Sequence, residues 1–386
     1  MATEGLAGRK LVIQGNEACV EAAIVAGCRF YAGYPITPAS EIMEGMARRL
    51  PEVGGVFLQM EDEIAAINAL VGASWGGWKA MTATSGPGFS LMQEAIGLAA
   101  ITETPLVIVD VQRGGPASGQ STSPSQGDVF QARYGSNGDY AIVALAPSTA
   151  QEMFDLTVLA FNLSEQLRVP AVILSDEIVA HTREKVIIPP RDCVEVVDRK
   201  RPRGGADAFP TFRPDEDGTP PMPAFNEGYR LRVLSQVHNI WGERATPAES
   251  EELIRRLSSK VESRADQLCF VGTEAVDGAE LIVVSYGSVA RSALRAVRDA
   301  RARGLPVGWV KLKTLWPFPQ RFISQVVGHA ACVLVPEMNL GRMALEVERV
   351  VKSGPRVVPL PKVSGQCHTP AEILAAIEGE LKRCIR

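Results

Sequence analysis

Four short runs in this sequence combine residue types that bind and activate small acids. In Tyr34-Pro35-Ile36-Thr37-Pro38 a hydroxyl sits between two prolines whose rings fix φ. At the carboxyl end of a parallel strand such a hydroxyl stands where open α/β sheets take their ligands. The competing reading is a rigid turn in which Thr37 caps the next helix. Gln59-Met60-Glu61-Asp62-Glu63 gathers three acids ahead of the apolar stretch Ile64–Val71. A carboxylate there is either a first-turn acid on a solvated face or a partly desolvated acid–base group. Thr84-Ser85-Gly86-Pro87-Gly88 is a glycine loop whose backbone N–H groups can approach a ligand. The run Gln112-Arg113-Gly114-Gly115-Pro116-Ala117-Ser118-Gly119-Gln120 sets a guanidinium among glycines, able to hold a carboxylate through two bonds. Its alternative is a flexible surface loop with a solvated arginine.

These runs need strands and helices to bring them together. In the first half, short apolar runs alternate with helical spacing. Strands are expected at Lys10–Gln14, Arg29–Ala32, Val56–Gln59, Ala80–Ala83, Pro105–Val111, Ala141–Leu145 and Pro170–Ser175. Helices are expected at Asn16–Ala26, Ala39–Leu50 (stopping at Pro51), Glu61–Gly72, Phe89–Thr102 and Thr149–Glu165. Pro105–Val111 is apolar except for Asp110, which suits a strand buried on both faces. Alternation of this kind predicts a mainly parallel sheet with helices on both faces. From Pro189 to Pro247 prolines, glycines and charges crowd together, as in Arg201-Pro202-Arg203-Gly204-Gly205, predicting a long extended connection. Thr246–Leu257 reads as a helix with early acids. A second alternating unit follows: strands Glu280–Ser285, Val307–Leu312, Cys332–Pro336 and Val357–Pro359, helices Val289–Arg303, Arg321–Gly328, Gly341–Ser353 and Pro370–Arg383. No fixed-period repeat is visible.

Composition narrows the function classes. The 386 residues allow two or three domains, each with a sizeable core. With 40 Lys+Arg against 44 Asp+Glu there is no broad basic field, so neither nucleic acid nor an anionic membrane is the expected partner. The seven cysteines are scattered with no CxxC, which disfavours a disulfide framework, a zinc site or a resident iron–sulfur cluster. Met1–Lys10 lacks the apolar core of a signal peptide, and no apolar run reaches the ~18 residues of a membrane span, so a soluble, cytoplasmic protein is expected. The spacings GxGxxG, GK[ST] and GxSxG are absent, and His181, His238, His329 and His368 lie far apart.

Taken together the runs are far more specific than any one alone. Gly15-Asn16-Glu17-Ala18, Ala32–Pro38, Glu61–Ile67, Met81–Gly88 and Arg113-Gly114-Gly115-Pro116 resemble the alpha subunit of 2-oxoacid:ferredoxin oxidoreductases, nearest the 2-oxoglutarate type. In the second unit Leu315-Trp316-Pro317-Phe318-Pro319, Glu337-Met338-Asn339-Leu340-Gly341 and Thr369-Pro370 are similar to that family's transketolase C-terminal-like domain. The resemblance implies a pyrimidine-binding-like domain of a thiamine diphosphate enzyme over residues 8–188, an extended connection over 189–265, and a smaller transketolase C-terminal-like α/β domain over 266–386. It also implies thiamine diphosphate shared with a beta subunit that carries the diphosphate-binding domain, Mg2+ and a [4Fe-4S] cluster. Further gamma and ferredoxin-like delta subunits, an (αβ)2 assembly, ferredoxin as electron acceptor and coenzyme A as co-substrate belong to the same expectation. The chain has no GDG…NN motif and no cluster cysteines, which fits that division of labour.

The implied chemistry is oxidative decarboxylation of a 2-oxo acid, most simply 2-oxoglutarate, to an acyl-CoA. A carboxylate bonded to N1′ of the aminopyrimidine favours the imino tautomer that removes the thiamine C2 proton. Motif register puts Glu61 in this role, with Glu63 as the fallback and Asp62 facing elsewhere. The resemblance also implies that Thr37 and Arg113, with Gly114 and Ser118, bind the 2-oxo acid, and that Pro35, Ser85 and Gly86 border the cofactor. The sequence departs from the family in three places: Gly-Pro-Ser-Thr-Gly appears as Gly115-Pro116-Ala117-Ser118-Gly119, Gly-Gln-Leu as Gly341-Arg342-Met343, and Gly-Arg-Pro-Phe-Thr-Pro as Gly365-Gln366-Cys367-His368-Thr369-Pro370. The first leaves an aromatic or branched-chain acid, phenylglyoxylate or 2-oxoisovalerate, open beside 2-oxoglutarate. Trp75 and Trp78 are expected to pack at an interface. A non-catalytic scaffold subunit and a Rossmann dehydrogenase are the competing classes; the latter lacks its glycine fingerprint.

Overall fold

The computed structural model describes residues 8–203, 209–352 and 354–384. Residues 1–7, the pair Gly204-Gly205 and Ser353, the expected end of a helix, lie outside the described residues. Strands of the first unit are β1 (Lys10–Gln14), β2 (Cys28–Gly33), β3 (Val56–Gln59), β4 (Lys79–Thr84), β5 (Leu106–Gly114), β6 (Gln120–Pro124), β7 (Val143–Leu145), β8 (Pro170–Asp176) and β9 (Arg183–Ile187). Those of the second are β10 (Val271–Glu274), β11 (Leu281–Ser285), β12 (Val307–Leu312), β13 (Thr314–Trp316), β14 (Cys332–Glu337) and β15 (Arg356–Pro361).

The larger sheet runs β13-β7-β8-β5-β4-β2-β3, with β6 added beside β5. It is parallel except for β13 and β6. The smaller sheet runs β10-β12-β11-β14-β15 and is parallel apart from β10. β1 and β9 form a separate antiparallel pair.

β5 shows why the sheet is central. Val107, Val109 and Val111 point into the core under the helices Gly15–Val25, Ser40–Glu52 and Ala150–Leu167, while Leu106 and Ile108 point the other way. That second core does not stop at the first unit. Ile96, Ile108 and Val172 share it with Ile282, Val284, Val310 and Phe318 of the second. Burying an aliphatic side chain of this size is worth roughly 1.5–3 kcal/mol, so the two units are held by a common interior. β13 adds a hydrogen-bonded link of the same kind: Thr314 and Trp316 of the second unit pair with Leu145 and Ala144 of β7. The far face of the second sheet is closed by the helices Val289–Ala302 and Pro370–Cys384, which bury Ala293, Ala296, Val297 and Ala300 against Ile373 and Ile377 at helical spacing.

Several elements differ from the sequence expectations. The expected loop Ser85–Gly88 is already helix: Gly86–Leu91 starts at Gly86, with Pro87 in its first turn where a missing N–H does no harm. The expected helix Phe89–Thr102 is therefore two, Gly86–Leu91 and Gln93–Ile101, meeting at Met92. Helix Ser40–Glu52 carries Pro51 inside its last turn instead of stopping before it. The helix expected from Glu61 begins at Glu63, because Asp62 takes the cap position and accepts from Ala65 N at 2.7 Å.

The proline-rich connection is pinned along the first unit. Arg199 is buried and forms a two-bond ion pair with Glu165 (2.7 and 2.6 Å), donating also to Ser74 O and Trp78 O. Trp75, 1% exposed, stacks on Phe225 at 5.7 Å, meets Phe212 edge-on, and donates Nε1–H to Thr104 Oγ1 at 2.7 Å. Under it lies a buried charge cluster: Glu103 receives Arg256 through both oxygens and Lys260 Nζ, each at 2.7 Å. Trp75 thus packs inside the chain, beneath its own connection; Trp78 remains part-exposed. Among the described residues no helix is long and apolar enough to cross a membrane.

Candidate active site

The carboxyl ends of β2, β3, β4 and β5 lie side by side in the large sheet, and each leads directly into one of the four runs. Parallel strand ends of this kind are where α/β sheets bind ligands. β5 is longer than the sequence implied: Gln112, Arg113 and Gly114 are strand residues, and Gly114 pairs with Gln120 across a bulged hairpin to β6. The alternative reading of a flexible surface loop thus gives way to a hairpin. Gly119, at φ +45°, leaves no room for a Cβ against the Gly114 carbonyl.

The strand holds Arg113 rigidly. It is 9% exposed; Nη1 donates to Thr37 O at 2.7 Å and Nη2 to Ser118 O at 3.1 Å, while its buried Nε has no hydrogen-bond partner. The structure thus brings Arg113, Thr37 and Ser118 together through backbone carbonyls, leaving the exposed Thr37 and Ser118 hydroxyls free of this bond. The Thr37 turn is fixed from behind by Asn16, whose Nδ2 donates to Pro38 O (2.9 Å) and Glu41 Oε2 (3.0 Å). Pro35 and Tyr34 are exposed on the same turn.

The acidic run divides. Glu61 is exposed ahead of the helix, whereas Glu63 is 5% exposed at its first position. Its carboxylate lies over Gly88: a Cβ there would overlap Glu63 Oε1 and Thr84 Oγ1. The hydroxyls of Thr84 and Ser85 beside it are buried without a hydrogen-bond partner.

Two acids unassigned by sequence lie at the same edge. Asp110, fully buried on β5, faces Asp128 and the Gly86 N–H. Burial, then the Asp128 charge, pushes Asp110 well above the usual carboxylate range. Asp128 is pushed up to about 6 by burial, with Asp110, Arg342 and Arg113 drawing it back. Asp110 was visible as the one acid interrupting an apolar strand. Nothing local marked Asp128.

The opposing wall comes from the second unit. Its loop Met338–Gly341 is clamped by Gln126, which donates Nε2–H to Tyr286 O (3.0 Å) and accepts from Met338 N (2.9 Å). Asn339 donates to Gln126 O and to the Tyr286 hydroxyl oxygen. Glu337, raised by burial, accepts from Tyr286 OH, Asn339 Nδ2, Met343 N and Ala344 N. Between the walls is a cleft of about 740 Å³, with Gly86, Arg113, Gly115 and Asp128 on one side and Asn339 and Arg342 on the other. A cleft carrying guanidinium groups and short of acids suits an anionic ligand. Among the described residues no group of His, Cys, Asp or Glu could hold a metal ion, and all seven cysteines are unpaired.

The family model "Pyruvate flavodoxin/ferredoxin oxidoreductase, thiamine diP-bdg" matches residues 21–256, and "Pyruvate:ferredoxin oxidoreductase core domain II" matches 279–373. The 2-oxoglutarate synthase subunit KorA of Methanothermobacter marburgensis is 53% identical over 369 residues, covering 95% of this chain and 98% of that one. The solved 2-oxoglutarate:ferredoxin oxidoreductase from Magnetococcus marinus, with 2-oxoglutarate, coenzyme A and succinyl-CoA bound, superposes with a TM-score of 0.91 at 32% identity. That match covers 98% of this chain and 65% of the Magnetococcus one. A split-gene transketolase shares the fold alone, with a TM-score of 0.56 at 15% identity over 96% of this chain and 99% of its own.

Proposed function

From the premise that this chain belongs to the 2-oxoacid:ferredoxin oxidoreductases, as an alpha subunit with that family's thiamine diphosphate-binding domain, we propose that its cleft binds 2-oxoglutarate for oxidative decarboxylation with coenzyme A. The observation that carries this reading is the convergence of Arg113, Thr37 and the buried Glu63 on neighbouring strand ends.

The residues present fit the aminopyrimidine end of thiamine diphosphate. Glu63 offers a carboxylate at a strand–helix junction, and Thr84 and Ser85 offer buried hydroxyls with no partner of their own. When bound, the cofactor supplies a carbanion nucleophile for the 2-oxo carbon. In this reading Glu63, the more buried of the two acids, holds the proton at the pyrimidine nitrogen, and Glu61 stays in solvent. Water exclusion makes a carboxylate a stronger partner for a ring nitrogen. Arg113 binds the substrate's 1-carboxylate, its guanidinium oriented beforehand by two carbonyls; the Thr37 hydroxyl donates to the carboxylate or keto oxygen. Gly114 lets the acid lie against the backbone, Ser118 borders it on the hairpin, and Gly86 and Pro35 flank the cofactor. Mg2+ and the [4Fe-4S] cluster belong on a beta subunit in an (αβ)2 assembly, with electrons passing to ferredoxin.

The test is to isolate the native complex through this chain and assay coenzyme A-dependent dye reduction. 2-Oxoglutarate, pyruvate, 2-oxoisovalerate and phenylglyoxylate are compared in parallel. Turnover of 2-oxoglutarate in a complex containing an iron–sulfur subunit supports the reading. A complex inert with every acid moves the assignment to a scaffold subunit.

A further inference from the structure

We propose that Arg342 is the specificity-determining residue of the cleft, pairing with the distal carboxylate of a dicarboxylic 2-oxo acid. This rests on the reading of the cleft as a 2-oxo acid site.

Arg342 stands on the second unit's wall, on the opposite side of the cleft from Arg113. It occupies the position where the Gly-Gln-Leu common in the family would put an uncharged amide. Its backbone is fixed: Asn339 Oδ1 accepts from Gly341 N at 2.8 Å and from Arg342 N at 2.9 Å. Asn339 is in turn held by Gln126 and Glu337. The side chain therefore springs from an ordered backbone.

Its guanidinium is half-buried and makes no hydrogen bond or ion pair with another described residue. This contrasts with Arg113, whose Nη atoms both donate to carbonyls. A part-desolvated guanidinium with free donors is a strong anion receptor. The only acid on the cleft wall, Asp128, is engaged with Asp110 and is felt by both guanidiniums, so two cations share one carboxylate. Pro87, Phe130, Met338 and Leu340 supply apolar surface along the same cleft. Two cations from different units in a cleft that also offers apolar surface fit a short chain with a carboxylate at each end. The 2-oxo acid end goes to Arg113, the methylenes to the apolar surface, and the far carboxylate to Arg342. A glutamine at this position can donate only neutral hydrogen bonds, which are weaker and cannot neutralise the second charge.

The experiment uses the intact complex carrying Arg342→Gln or Arg342→Lys. kcat/KM is measured for 2-oxoglutarate and for 2-oxopentanoate, which has the same chain length and no distal carboxylate. Arg342→Gln is expected to lower the 2-oxoglutarate:2-oxopentanoate ratio by roughly tenfold to a hundredfold, mostly through KM, and Arg342→Lys to restore part of it. Calorimetric titration with glutarate should show the same order of affinity without turnover. A ratio unchanged in both variants, or a wild-type complex that takes both acids equally, overturns the proposal and leaves the enzyme's class standing. A wild-type complex inert with both acids, and with the wider panel above, overturns the 2-oxo acid reading and this proposal with it.

Discussion

The Arg113 guanidinium donates to the carbonyl oxygen of Thr37 at 2.7 Å, joining the end of β5 to the turn after β2. Two runs 76 residues apart in sequence thus form one surface. Because Nη2 also reaches Ser118 O, the fork is aimed before any ligand arrives.

Arg113→Lys keeps the charge and loses the fork, since one ammonium cannot serve both carbonyls and a carboxylate in plane. KM for the 2-oxo acid should rise by roughly tenfold or more, with kcat changed less, as expected for a charged hydrogen bond worth about 1.5–3 kcal/mol. Steady-state kinetics of the complex checks this; an unchanged KM removes Arg113 from the substrate site.

Glu63→Gln and Glu61→Gln separate the two acids. Proton transfer by a positioned group contributes roughly a hundredfold to ten-thousandfold, so the buried Glu63 variant should lose at least that lower figure in kcat. The Glu61 variant should stay within about threefold of wild type, as surface changes usually do. The reverse order would return the role to Glu61.

The Asp110–Asp128 pair predicts a pH-dependent stability. The folded value of Asp128, about 6, lies above its value in an unfolded chain, with burial the main cause. The stability of the protonated form is therefore fully present below about pH 4 and is lost as pH rises through about 6. Asp128→Asn should match wild type in acid and exceed it by about 1–3 kcal/mol at pH 8. Denaturant melts across pH 4–8 report the gap; a constant gap would sink the idea.

Beneath the connection the sign reverses. Burial alone pushes the Glu103 carboxyl up, but the Lys260 ammonium and the Arg256 guanidinium overcome it and hold Glu103 at about 2. Its contribution is present above the usual carboxylate range and is lost as pH falls through about 2. Glu103→Gln strands two cations in the interior and should cost about 3–5 kcal/mol at neutral pH. A loss below 1 kcal/mol in chemical unfolding would contradict the pairing.

Much of this was legible in the residues. Lys10–Gln14, Val56–Gln59 and Val307–Leu312 are strands to the residue, because apolar runs bounded by turn formers leave little choice. β6, β9, β10 and β13 were missed: they are short, and β6 and β9 are polar or charged. They exist through partners that only the fold supplies, Gln120 with Gly114 and Thr314 with Leu145. The four runs were visible as candidates, and their meeting follows from parallel order. The burial of Glu63 beside an exposed Glu61 was also written there: Ala66, Ile67 and Leu70 repeat at helical spacing from Glu63, so that acid shares the buried face. The Asp110–Asp128 contact carried no such periodicity, since it joins a strand to a turn beyond a hairpin.

The shared strand β13 has a kinetic consequence. Swinging the two walls of the cleft apart would break the ladder of Thr314 and Trp316 with β7 and the bonds of Gln126 to Met338. Each cycle of turnover therefore works through a fixed aperture. Admission and release fall to its rim, where the exposed side chains of Leu340 and Val363 protrude from the second unit.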